Sequence, residues 1–320
     1  MSRRVDRAAA FIAALLTVSI TGCGSTEIEP GGPPPERQSG TRLAAHLSEM
    51  GPAPAPQRSN RVTSPPARTV HFRSDFDHAI TAEPFVHPEK SVEGRPLRYW
   101  VFGTGNEVVL VLGGMHGDER SSTEAAYDLL EWACDHGDGL GDRKLVIAPD
   151  VNPDGNVALT RRNARDVDLN RNFPAQNWLI EDGGHGPGLY PASEPETRFV
   201  MALLRIYKPA RLIATHAAAA CVNFDGPSEA LAEAMSRACG LPTAATIGYP
   251  TPGSLGSYAG VDLGVATITF ELATKERVGA AGDATLAALL AALHFPHPVP
   301  GPPVPLDRAS PADTTGEPQR

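Results

Sequence analysis

Three observations predict an α/β fold, a sheet flanked by helices. Short β-branched runs alternate with longer amphipathic ones, the order in which strands are joined by helices. Four of the short runs are apolar nearly throughout, as strands covered on both faces should be. The residues capable of chemistry stand just after those runs, where an open α/β sheet collects its ligands.

The first strand is Val108–Leu112, followed by Gly113, Gly114 and the stretch His116-Gly-Asp-Glu119. A neutral imidazole and a carboxylate three residues apart can bind one cation when a turn brings i and i+3 together. Ser121-Ser-Thr-Glu124 then has the form of a capping box and predicts a helix over Ala125–Cys134. The second strand, Lys144–Ala148, leads into Asn152-Pro-Asp-Gly155. Ser193-Glu-Pro-Glu196 is a second capping box, with Pro195 tolerated in the first turn, before a helix over Thr197–Tyr207. The third strand, Arg211–Thr215, ends at His216, and a helix from about Ser228 to Cys239 is stopped by Gly240 and Pro242. The fourth strand, Val265–Phe270, ends at Glu271.

The ends of the chain differ in composition. Residues 1–22 carry Arg3, Arg4 and Arg7, then the apolar stretch Ala8–Ile20, too short to span a bilayer core and read as an export signal. Ile20-Thr-Gly-Cys23 resembles a bacterial lipobox, so the expectation is a mature chain beginning at an acylated Cys23, lipid-anchored to the membrane on the envelope side. Residues 23–74, with Gly31-Gly-Pro-Pro-Pro35 and Pro52-Ala-Pro-Ala-Pro56, and the Pro-rich tail 296–320 cannot bury enough apolar surface to fold. That leaves 75–295 as the folded unit. Loss of residues 1–22, with three Arg and one Asp, moves the formal charge from -9 to -11, which argues against a nucleic-acid partner. Apart from Cys23 the cysteines are Cys134, Cys221 and Cys239; they allow one disulfide at most, and their spacing fits no zinc ribbon. No protein partner is expected.

Two nitrogen donors and two carboxylates at strand ends point to one shared site. A catalytic zinc needs three protein ligands and a water; His116, Glu119 and His216 supply the ligands. Glu271 is left as the base that deprotonates the water and returns the proton to the leaving nitrogen. Between residues 160 and 174 lie Arg161, Arg162, Arg165 and Arg171, a positive patch on an acidic chain. A guanidinium fork fits a carboxylate in a bidentate way that Lys does not, so the patch reads as a clamp for a substrate carboxylate.

These blocks, together with Asp168-Leu-Asn-Arg-Asn-Phe173 and Thr269-Phe-Glu271-Leu, resemble the zinc carboxypeptidases of the carboxypeptidase A superfamily over most of the folded unit. Tyr249-Pro-Thr-Pro-Gly-Ser-Leu-Gly256 and Ala220-Cys221 are similar to the branch that cleaves γ-D-glutamyl-diaminopimelate bonds of murein peptides. The resemblance implies a mixed, mostly parallel eight-stranded sheet with helices on both faces, and one Zn2+ on His116, Glu119 and His216. It further implies that Asp168 holds His116, Arg161 faces the oxyanion, Asn170 and Arg171 grip the free carboxylate of the released residue, and Tyr249 closes over the substrate. Ala217-Ala-Ala-Ala220 departs from the polar or proline residues that relatives often carry there. The expected activity is hydrolysis of an amide beside a free carboxylate in a murein peptide. The alternatives are a carboxypeptidase on other peptides, an amidohydrolase of acylated amino acids, or a non-catalytic murein-binding lipoprotein.

Overall fold

Eight strands hydrogen-bond into one mixed sheet in the computed structural model, which describes residues 80–180, 184, 186–276 and 282–296. The expected leader 1–22, Cys23, the tether 23–74 and all but the first residue of the 296–320 tail lie outside the described residues. The strands are β1 (Phe85–Lys90), β2 (Pro96–Phe102), β3 (Glu107–Leu112), β4 (Arg143–Ala148), β5 (Arg211–Ala217), β6 (Cys221–Asp225), β7 (Thr243–Ala244) and β8 (Ala266–Leu272). Their spatial order is β1-β2-β4-β3-β5-β8-β6-β7. The middle four, β4-β3-β5-β8, run parallel, while β2 lies antiparallel to β4 and β6 antiparallel to β8.

The helices are α1 (Arg120–His136), α2 (Pro153–Ala158), α3 (Pro195–Tyr207), α4 (Glu229–Cys239) and α5 (Gly282–His294), with a π-helical segment at Gly256–Asp262. Successive strand side chains point to opposite faces, so each central strand feeds two cores. On one face Val109, Val111, Ile147, Ile213, Ile268 and Phe270 pack with Leu129 and Leu130 of α1, Leu231 and Met235 of α4, and Leu289 and Leu293 of α5. On the other, Leu110, Leu112, Val146 and Leu212 pack with Phe199, Val200 and Leu203 of α3 and with Tyr258 and Ala259 of the π-helix. Burial of each such side chain stabilises by about 1.5–3 kcal/mol, so both layers are held by many comparable contributions. At the end of the sheet away from His216, buried Arg211 donates to Ala292 O and Phe295 O at 2.8 and 2.6 Å and pairs with Glu107, tying β5 to the end of α5.

The strand ends at 112 and 148 fall as expected, β5 and β8 run one residue beyond His216 and Glu271 to Ala217 and Leu272, and neither capping box forms. α1 starts at Arg120, and Ser121 Oγ donates instead to Thr274 O. α3 starts at Pro195, while Ser193 Oγ donates to Glu194 and accepts from Asn172 Nδ2. The carboxylate of Glu196 is already engaged by the Val92 N–H and by Asn163. Long-range partners outcompete the local box at both helices. α4 ends as expected, on Gly240 at φ 77°, a left-handed conformation that glycine adopts without steric cost. Cys134, Cys221 and Cys239 are all free thiols.

Candidate metal centre

The chain turns back on itself between β3 and β5: from β3 the next strand, β4, lies on one side and β5 on the other. That reversal opens a crevice at the carboxyl ends of the two strands, the usual ligand position in open α/β sheets. His116 leaves β3 into this crevice and His216 lies at the end of β5, in register with Glu271 on β8.

The turn after β3 is held from behind by Asn152-Pro-Asp-Gly155. Val151 and Asn152 N–H donate to Gly113 O and Gly114 O, both at 3.0 Å, and Asn152 Nδ2 donates to Met115 O at 3.3 Å. Asn152 Oδ1 also accepts from Gly155 N–H at 2.9 Å, capping α2. Gly117 runs so close to Gly155 that a Cβ on it would overlap the Gly155 backbone, so only glycine fits. The Glu119 N–H then donates to His116 O at 3.1 Å, which sets the two side chains next to each other.

His116 Nδ1, one carboxylate oxygen of Glu119 and His216 Nδ1 converge. His116 Nδ1 lies 2.9 Å from Glu119 Oε1; His216 Nδ1 lies 3.1 Å from both Glu119 Oε2 and His116 Nδ1. The donor atoms of these three residues lie within 4.8 Å of one another, and all three side chains are buried. His116 Nε2 faces Asp168 Oδ1 at 3.0 Å. Donation of the Nε2 proton to that carboxylate leaves the lone pair on Nδ1, aimed at His216 and Glu119. Two ring nitrogens and a carboxylate facing one point need a cation between them, and a His-His-Glu set suits zinc.

Electrostatics agree with that donor set. Burial works against a charged imidazole at His116, but the carboxylates of Glu119 and Asp168 outweigh it and raise its pKa to about 9. Burial likewise opposes ionisation of Glu119 and Asp168, yet His116 holds both well below the usual carboxylate range, aided by His216 at Glu119 and by Arg161 and Arg171 at Asp168. A pocket that favours a proton on His116 this strongly also favours a divalent cation, which must displace that proton.

Arg161 is half-buried: its Nε donates to Asp168 Oδ2 at 3.0 Å and its Nη1 to Glu119 Oε1 at 3.1 Å. Asn170 N–H donates to Asp168 Oδ1 at 2.9 Å, and Asn170 Oδ1 accepts from Leu255 N–H at 2.8 Å. Arg171 is buried and donates to Asn170 O at 2.7 Å, while its Nε has no acceptor among the described residues. Glu271 accepts from Ala219 N–H at 3.3 Å, and Ala217 N–H donates to Glu119 Oε2 at 3.0 Å, so the alanine run contributes its backbone amides. His116, Glu119, His216, Glu271, Arg161, Asn170, Arg171 and Tyr249 all line one cavity of about 310 Å³, with Tyr249 half-exposed at 51%. Asp168 stands behind it.

The fold brings further groups here. Asp118, between the two expected ligands, pairs with Lys275 and so ties the ligand turn to the loop after β8. Asn223 and Asp225 of β6, Thr246, Thr251 and Ser254 also line the cavity. β6 is five residues long, and its polar side chains face inward, a pattern that resembles a loop.

The fold and this site define a zinc carboxypeptidase. The zinc carboxypeptidase family model matches residues 85–231, and murein peptide amidase A of Escherichia coli K12 is 35% identical over 199 residues, an overlap of 58% of this chain and 79% of that protein. The chain belongs to the zinc carboxypeptidase family, a family of hydrolases. Murein peptide amidase A of Vibrio campbellii is 33% identical over 186 residues, 53% of this chain and 71% of that protein. Among solved structures, the murein-tripeptide amidase of Escherichia coli O157 superposes with a TM-score of 0.54 at 31% identity, covering 66% of this chain and 91% of that one. Bovine thrombin-activatable fibrinolysis inhibitor, at 22% identity and a TM-score of 0.55, covers 66% of this chain and 88% of its own, and shares the fold. The family match stops before Tyr249 and Glu271, so their place in the site rests on the cavity itself.

Proposed function

We propose that this chain hydrolyses the amide between γ-D-glutamate and diaminopimelate in murein peptides, with one zinc ion held by His116, Glu119 and His216. The observation that carries the reading is the single cavity on which these three residues, Glu271 and two arginines converge. Its likeness to murein peptide amidases supports the choice of substrate.

Zinc, when bound, supplies a Lewis acid for the carbonyl and lowers the pKa of water. Arg171 and Asn170 hold the free α-carboxylate of the residue to be released, which orients the amide. Glu271 takes a proton from the attacking water and hands it to the leaving nitrogen. Arg161 donates to the oxyanion as charge builds there, and its two carboxylate contacts keep it in place. Asp168 fixes the tautomer of His116, and Tyr249 covers the bound peptide.

Zinc-loaded protein incubated with L-Ala-γ-D-Glu-meso-diaminopimelate should release diaminopimelate, detected by mass spectrometry, and Glu271→Gln should not. Absence of product from the zinc-loaded wild type rejects the reading. Release from ordinary C-terminal peptides or acylated amino acids alone points to the other hydrolytic activities, and turnover of nothing points to a binding lipoprotein.

Export and acyl anchoring at Cys23 belong to the same proposal, supported by Arg3, Arg4, Arg7, the apolar Ala8–Ile20 and the lipobox-like Ile20–Cys23. Cys23→Ser should move the protein from the membrane fraction to the soluble fraction; an unchanged distribution rejects the anchor.

A further inference from the structure

Two polar groups near the proposed oxyanion donor have bonding capacity that they do not use on each other. Arg161 commits Nε to Asp168 and Nη1 to Glu119, while its Nη2 has no acceptor among the described residues. Asp118 pairs through Oδ2 with Lys275 Nζ, and its Oδ1 is buried with no hydrogen-bond partner among the described residues. The two side chains do interact through space. Burial opposes the charge on Arg161, but Asp168, Glu119 and, more weakly, Asp118 outweigh it and raise its pKa. An uncommitted donor thus lies within electrostatic reach of an uncommitted carboxylate oxygen, and a charge-assisted bond between them would be favourable.

The loop after β8 supplies what holds Asp118 back. β5 separates β8 from β3, so this loop crosses the carboxyl end of β5 to reach the ligand turn. Ser121 N–H donates to Lys275 O at 3.1 Å and Ser121 Oγ donates to Thr274 O, which fixes the loop backbone against the start of α1. These bonds place the Lys275 ammonium on Asp118 without help from its own charge. The side chains of the pair are 40% and 28% exposed, and partly hydrated ion pairs add little to a fold. Its ends nevertheless sit at consequential positions: Lys275 is four residues past Glu271, and Asp118 lies between two of the proposed ligands. Neither residue lines the cavity.

We propose that Lys275 is a positioning residue for Arg161: by holding the Asp118 carboxylate, it keeps that carboxylate from capturing the guanidinium that serves the oxyanion. The inference rests on the oxyanion role proposed above for Arg161. An Arg161 drawn to Asp118 gives up a donor as charge builds on the carbonyl oxygen, so the loss falls on the transition state and leaves substrate binding nearly intact. The positive charge at position 275 carries the effect, and Arg serves there as Lys does.

Lys275→Met removes the ammonium at nearly the same volume and keeps both backbone bonds to Ser121. In the zinc-loaded full-length protein, kcat on the murein tripeptide should fall about 10- to 100-fold with KM within about threefold. The melting temperature should shift by no more than about 4 °C, and zinc affinity should stay within about tenfold. Adding Asp118→Asn to Lys275→Met removes the competing charge and should return kcat to within about threefold of wild type, as should Lys275→Arg alone. A simple tie between two loops predicts a double variant no better than the single one. Arg161 also reports on itself in the metal-free protein. Its Nε–H resonance, assigned by its loss in Arg161→Lys, should move in Lys275→Met and return in the double variant. The proposal is overturned by a fall in kcat of less than about fivefold, by a double variant no more active than Lys275→Met, or by an Arg161 resonance that does not move. A larger loss of zinc affinity in Lys275→Met also overturns it, since Lys275 would then act on the ligand turn. If the wild type cleaves no murein peptide, the proposed reaction falls and the resonance alone decides whether Lys275 positions Arg161.

Discussion

Asp168 lies behind the proposed ligands and does not line the cavity, so Asp168→Asn separates metal positioning from chemistry. The buried carboxylate accepts from His116 Nε2, Asn170 N–H and Arg161 Nε, at 3.0, 2.9 and 3.0 Å. An amide of the same shape can present oxygen to only one side. If it faces His116 and Asn170, its NH2 opposes the Arg161 Nε–H, and one bond to a charged group is lost. Such bonds are worth about 1.5–3 kcal/mol each, and leaving one partner of a buried ion pair uncompensated costs about 3–5 kcal/mol. Two retained contacts place the expected loss near 2–4 kcal/mol, or roughly 5–12 °C in the melting temperature of the metal-free protein. Zinc affinity should fall about 10- to 100-fold, because the partner that orients His116 and raises its basicity is weakened.

The pH dependence makes this test specific. In metal-free wild type His116 holds a proton up to about pH 9, and zinc must displace it, which weakens apparent affinity roughly tenfold per pH unit below that value. The variant lowers the pKa of His116 and so reduces this competition, masking part of its defect at pH 7. Chelator competition at pH 7 and pH 9 should therefore show a larger deficit at pH 9. A variant that binds zinc within threefold of wild type at both pH values would refute the role given to Asp168.

Glu271→Gln should retain zinc and lower kcat by about 10²–10⁴-fold, the range for a lost general acid–base; activity within tenfold of wild type with full zinc content argues that another group moves the proton. Because the pKa of His116 is raised in the folded metal-free protein, its stabilisation is fully present below the unfolded value near 6.5 and is lost as pH rises through about 9. Calorimetric melting of metal-free protein should decline between pH 7 and 9.5 while the zinc-loaded form changes little, and parallel curves would contradict that account. Gly117→Ala drives a methyl into the Gly155 backbone and should destabilise by about 1–3 kcal/mol with weaker zinc binding, read by thermal melting and metal titration. Wild-type stability in that variant would show that the two turns do not need their close contact.

Much of the site was legible because β4, β3, β5 and β8 run parallel with both faces covered. Such strands appear in the sequence as apolar runs, and their parallel arrangement puts all their carboxyl ends at one edge. His116, His216 and Glu271 could therefore be grouped across more than one hundred residues without knowing the order of the strands. β2 was less legible because it is only partly covered, and β1 because its burial alternates irregularly around a register shift. The capping boxes misled because Ser121, Ser193 and Glu196 each found a partner far away in sequence, which a local motif cannot foresee.

Asp225, which lines the cavity, escaped for a topological reason. β6 is antiparallel to β8, so its first residue, not its last, lies beside the catalytic end of the sheet. A residue at its carboxyl end is carried away from Glu271 into the depth of the cavity, and a rule that inspects strand ends gives it no weight. The division has a physical basis. Parallel strands deliver ligands to one edge, while a reversed strand lays its alternate side chains along the cavity wall that leads away from that edge. Exchanges confined to β6 and to 245–256 should then alter which residue is released while leaving zinc affinity within about twofold, and exchanges at 116–119 or 161–171 should do the reverse. Zinc binding that tracks changes in β6 as closely as product selectivity does would contradict this separation.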